Sequence, residues 1–176
     1  MTTASPPDAA TTPPAVGMFR ELLHIHSFLR RDLETVRRLA ADARDGLSPL
    51  TILAEIRSLE TNSPLWRLRF GCMHYCHFVH TPHTIEDAAV FPMVRKHDPS
   101  LGRVVDRLEE DHLKVHHVTE RIAAVADRVV TDASGVSRFE LVEALTKLED
   151  LLLAHLALEE ESLGPLLGTW DRWPTE

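Results

Sequence analysis

The chain has 176 residues, 44% hydrophobic and 26% charged, with a formal net charge of −8. That length supports one domain with a full apolar core, and the negative balance argues against a general nucleic-acid or anionic-membrane binder. No apolar run approaches the ~18–20 residues needed to span a bilayer.

Residues 1–15, rich in Pro, Thr and Ala, are expected to be a disordered arm. They lack the basic start and apolar centre of a secretory signal, which points to the cytoplasm. From Val16 the residues Phe19, Leu22, Leu23, His26, Leu29, Leu33, Val36 and Leu39 recur at three and four positions and predict an amphipathic helix ending near Gly46. Ser48-Pro49 is a start signal for a short helix over about Leu50–Leu59, and Ser63-Pro64 repeats it. A long helix is predicted from Leu65 toward Lys96, interrupted or bent around Pro82 and again near Pro92. Asp98-Pro99 opens another, through about Val130. After the turn TDASGVS a last helix is predicted from Val136 or Ser137 to about Leu163, with its stop at Gly164-Pro165. The tail from residue 169 to 176 covers something or hangs free. No segment alternates with period two, so the fold class is all-α: an up-down four-helix bundle over residues 16–168, with one extra short helix between the first and second long helices.

Eleven histidines are the abnormal feature. Cys72 and Cys76, one helical turn apart, have poor geometry for a disulfide and read as reduced packing residues, a thiolate pair being the alternative. Each long helix carries histidines: His24 and His26; His74, His77, His80 and His83; His112, His116 and His117; and His155. On the last helix His155 shares the apolar face with Leu148, Leu151, Leu152 and Leu158, and Glu159 follows one turn on. A carboxylate buried there costs several kcal/mol unless paired or metal-bound; otherwise Glu159 reaches solvent and His155 is a hydrogen-bonded core residue. On the second long helix His83 precedes Glu86 by three and Asp87 by four, both steps on one face. His112 continues a stripe through Val104, Val105, Leu108 and Leu113, with His117 more exposed, and His26 faces the core side of the first helix. Any one of these reads as a core histidine. Four together, two with a carboxylate one turn away, fit a polyvalent metal site, and imidazole with carboxylate favours iron or manganese over zinc.

The segments IHSFLRRDL, PHTIEDAAVFP, DHLKVHH and HLALEEESLGPLL resemble the hemerythrin-like (HHE cation-binding) domain family over about residues 18–168. The resemblance implies a four-helix bundle with a non-haem di-iron centre and nominates His26, Glu86, His112, His155 and Glu159 as metal ligands, Glu86 and Glu159 bridging. The family's sixth position falls on Pro82, which cannot ligate; His83 is the substitute, with His80 or Asp87 as weaker candidates, and a mononuclear site follows if none serves. The implied function is binding or reduction of a small oxidant (dioxygen, hydrogen peroxide or nitric oxide), with catalase-like or peroxidase-like turnover an open question. The alternatives are a sensing module holding one metal without turnover, and a metal-free structural bundle. The expected cofactor is two iron ions, with manganese or zinc as substitutes, and no nucleic acid or membrane is expected as partner. Tyr75, three turns before Glu86, either lines the pocket or is ordinary core.

Overall fold

A computed structural model of the protein describes residues 17–63, 65, 86–132 and 134–171. The expected arm, the bend at Pro82, His74, His77, His80, His83, Tyr75 and both cysteines lie outside the described residues. Every described element is helical: α1 (Met18–Arg44), α2 (Pro49–Asn62), a π-helical turn (Glu86–Val90) running into α3 (Phe91–His97), a 3-10 turn (Pro99–Leu101), α4 (Gly102–Val129) and α5 (Val136–Leu167).

Local chemistry fixes these ends. Ser48 Oγ accepts the Thr51 N–H at the start of α2, and Pro49 occupies the first helical position, where no N–H is needed. Asp98 takes the Ser100 N–H before α4. Before α5, the Asp132 carboxylate takes the N–H groups of Ser134 and Ser137, and Gly135 supplies the left-handed turn at φ 79° that other residues adopt at a cost. The Ser134 hydroxyl, which also donates to that carboxylate, and these two N–H groups hold the Asp132 carboxyl well below the usual range. Pro92 has no N–H for the Ala88 carbonyl, and a regular turn would press its ring onto that carbonyl. The chain answers with the π-helical turn just before it, where the sequence predicts an interruption.

One boundary differs from expectation. The predicted stop at Gly164-Pro165 does not occur; α5 continues to Leu167. Pro165 lies in the last turn, where the carbonyl it frees belongs to the exposed Glu161. Gly164 is a packing glycine: a Cβ there would lie 2.8 Å from the tip of the Phe19 ring. Two expected core positions also differ, since Leu23 and Leu113 are exposed.

The long helices α1 and α4 each run antiparallel to α5. The Met18 N–H meets the Trp170 carbonyl at one end, while Arg138 reaches the carbonyls of Ala43 and Leu47 at the other. Across α4 and α5, Arg128 pairs with Glu140 and His112 meets His155. The first tail residues therefore cover the start of α1, with the Trp170 indole edge-on to His97. Two apolar clusters fill the interior. One is built on residues such as Leu29, Leu33, Ile52, Ile122, Leu145 and Leu152. The other contains Met18, Leu22, Phe91, Val94, Leu108 and Leu163. Between them the same stripes carry polar residues. His26 lies between Leu22 and Leu29, His112 between Leu108 and Val115, and Glu159 between Leu156 and Leu163.

Candidate metal centre

That polar layer is where the candidate residues meet. His26 from α1, Glu86 from the π-helical turn, His112 from α4, and His155 and Glu159 from α5 are all buried. Their donor atoms form two groups, Glu86–His112–His155 and His26–Glu86–Glu159, each with all ligand atoms within 4.8 Å of one another. Glu86 belongs to both. His26 Nε2 lies 3.2 Å from Glu159 Oε2, His112 Nε2 lies 3.5 Å from Glu86 Oε2, and the Nε2 atoms of His112 and His155 are 3.2 Å apart. Five of the six residues predicted from sequence thus converge, while His83 lies outside the described residues. His116 and His117 face outward near Glu120.

The outer nitrogens are held as well. His26 Nδ1 is 2.7 Å from Glu160 Oε1, and Arg30 donates to both Glu160 oxygens, at 2.8 and 2.9 Å. His112 Nδ1 is 2.8 Å from Asp87 Oδ1, and the Phe91 ring stacks on the same imidazole. Asp87 therefore sits behind His112, 46% exposed, away from the centre of the layer. Sequence reasoning had no role for Glu160; the available signal was the acidic residue directly following each candidate carboxylate.

Burial and charge compete at each group. Burial disfavours the charged form of His112, but the carboxylates of Asp87 and Glu86 outweigh it and raise its pKa to about 9. Burial likewise opposes the charged form of His26, and Glu159, Glu160 and Glu86 overcome it, so its pKa is raised. At His155 the balance goes the other way: burial, followed by the His112 charge, outweighs the opposing Asp111 charge and lowers it to about 3. Burial and the nearby Glu86 charge push Glu159 upward. Burial also disfavours the Glu160 carboxylate, but bonds from Arg30 and His26 hold its pKa below the ordinary value.

The donor set fits a cation. Glu86 Oε2 and both oxygens of Glu159 are buried with no hydrogen-bond partner among the described residues, and a carboxylate left so costs several kcal/mol. Imidazole nitrogens with carboxylate oxygens, and no thiolate among the converging residues, suit iron or manganese. No described helix is long and apolar enough to cross a membrane. No curated protein and no solved structure matches the chain. The family model for the hemerythrin HHE cation-binding domain matches residues 18–167, a span that takes in all five converging residues, and the chain belongs to that family.

Proposed function

We propose that the protein is a non-haem di-iron protein that binds or reduces a small oxidant: dioxygen, hydrogen peroxide or nitric oxide. In this reading the segment from Leu65 to His97 is the second long helix of an up-down four-helix bundle. The observation that carries the proposal is Glu86, a buried carboxylate common to two donor groups. One group would hold an ion through His112 and His155, the other through His26 and Glu159, with Glu86 between them and His83 the candidate for the remaining position. Iron bound there supplies redox chemistry and an open position for a small ligand. The chain's own residues supply the rest. Three imidazoles and two carboxylates would hold the ions between two apolar clusters that exclude bulk water, and the carboxylates would offset the metal charge.

A second reading is favoured by the inequality of the two groups. Glu86–His112–His155 has two imidazoles and a carboxylate, a sufficient set for one iron, whereas His26–Glu86–Glu159 has a single imidazole. With Pro82 at the family's sixth position, a protein holding one metal without turnover follows from that difference. Elemental analysis of protein from iron-replete cells separates the readings. Two iron per chain, with near-ultraviolet bands that change on adding azide, supports the first. One metal per chain supports the second, and none removes both.

A further inference from the structure

The two consecutive-acid pairs, Glu86-Asp87 and Glu159-Glu160, do the same thing to different histidines. Successive residues point about 100° apart in an α-helix and somewhat less in the wider π-helical turn, so one member of each pair can face the centre while the next faces sideways. His112 has Glu86 at Nε2, 3.5 Å away, and Asp87 at Nδ1, 2.8 Å away. His26 has Glu159 at Nε2, 3.2 Å away, and Glu160 at Nδ1, 2.7 Å away. Each ring is hydrogen-bonded at Nδ1 to one carboxylate of a neighbouring segment and has the adjacent carboxylate of that segment near its Nε2. These grips come from separate segments onto separate helices.

We propose that Asp87 and Glu160 are positioning residues, each accepting the Nδ1–H of a histidine on the adjacent helix so that its Nε2 is presented to the metal. The proposal rests on the metal-site reading above. A carboxylate behind an imidazole fixes both the tautomer and the ring orientation, and strengthens the nitrogen that faces the ion. The two grips differ in stiffness. Glu160 is 21% exposed and held by both terminal guanidinium nitrogens, Nη1 and Nη2, of Arg30, one turn after His26 on α1. Ring, carboxylate and guanidinium thus form a closed unit between α1 and α5. Asp87 is 46% exposed and meets His112 beside solvent. The His26 side is therefore the preorganised one, and Arg30 acts on the centre through Glu160 without reaching it.

The test uses the full chain stripped of metal, with Zn2+ alone as the probe and a competing chelator to measure affinity. Asp87→Ala and Glu160→Ala are expected to weaken zinc binding about ten- to hundredfold, with circular dichroism unchanged. Asp87→Asn and Glu160→Gln, which retain an oxygen acceptor, are expected to recover part of the loss. Imidazole 15N shifts of the zinc-loaded protein should show Nε2 bound and Nδ1 protonated at His26 and His112, with each Ala variant changing only its own histidine. Arg30→Met, at a half-exposed position, should weaken binding severalfold and perturb His26 alone, which keeps the test open if Glu160→Ala fails to fold. Wild-type affinity and unchanged nitrogen assignments in the Ala and Arg30→Met variants would overturn the proposal while leaving the centre intact, provided Glu86→Ala and Glu159→Ala lose zinc. If those two also bind zinc as the wild type does, the metal-site reading falls and this proposal with it.

Discussion

The Nε2 atoms of His112 and His155 lie 3.2 Å apart, one ring from α4 and one from α5, with no room between them for a further atom. One of the two must donate. His112, raised to about 9 by its carboxylate neighbours against the opposing effect of burial, carries the proton, and His155, lowered to about 3 chiefly by burial, accepts it. An ion bound by both rings has to displace that proton. Zinc affinity of the metal-free protein is therefore expected to rise with pH between about 6.5 and 8.5, by roughly tenfold per unit for each proton released. Chelator competition across that range measures it, and a flat profile would show that the two rings do not share an ion.

The same two histidines set the pH dependence of metal-free stability, with opposite signs. His155 has a folded pKa near 3 against 6.5 unfolded, so below pH 6.5 the unfolded chain takes up a proton that the folded one refuses. Stability is then lost as pH falls from about 6.5 toward 3, by an amount on the order of 4 kcal/mol. His112 has its folded pKa near 9, so its contribution is complete below 6.5 and fades as pH rises through 9. Taken alone, these two histidines place the stability maximum of the metal-free protein near pH 6.5; the buried Glu159 carboxyl, shifted upward, works against the His155 loss on the acid side. Urea unfolding at pH 5, 6.5 and 8.5 isolates the His155 part, because His155→Leu should gain stability relative to the wild type at pH 5 compared with pH 8.5.

Much of this centre can be read from the sequence because helical periodicity places ligand-type residues on apolar stripes. His26 and His155 interrupt runs of leucine at the core spacing, and Glu159 follows one turn later, so their burial together follows from pattern alone. Asp87 and Glu160 are harder to read. They occupy the flank of a helix, where spacing does not distinguish an acid facing solvent from one facing a neighbour's imidazole. Gly164-Pro165 misleads for a related reason. Glycine before proline is a stop signal locally, but here the Phe19 ring needs the missing Cβ, and a proline in a final turn frees only one exposed carbonyl. Leu113 shows the reverse limit, since an apolar residue next to a stripe need not belong to it.

Glu159 is fully buried, and neither of its oxygens has a hydrogen-bond partner among the described residues. His26 Nε2 lies 3.2 Å from the Glu159 Oε2, but His26 keeps Glu160 at its other nitrogen when Glu159 is lost, so without metal the desolvated carboxylate is more costly than an apolar group of similar volume. Glu159→Met is expected to raise metal-free stability by about 1–3 kcal/mol while abolishing metal uptake. The control His117→Ala, at an exposed position, should change neither quantity. Urea midpoints in chelator and metal content per chain are the two measurements. A Glu159→Met protein that is less stable without metal would mean that this carboxylate is satisfied in the metal-free fold.

Phe91 joins the core to the centre. Its side chain is fully buried in the cluster with Val94 and Leu108, and its ring stacks on His112 with centroids 5.6 Å apart and planes 17° from parallel. Phe91→Ala should therefore cost about 3–5 kcal/mol from the lost burial and the cavity left behind. Phe91→Leu replaces part of that volume but gives the imidazole no flat surface to rest against. It is expected to lose about 1–2 kcal/mol of metal-free stability and, in addition, to weaken zinc binding through a looser His112. The control is Leu145→Ala, equally buried but in the other cluster; it should destabilise by about 2–5 kcal/mol and leave the zinc affinity of the folded protein unchanged. Equal effects on zinc from Phe91→Leu and Leu145→Ala would show that the stack fills space without orienting the ring.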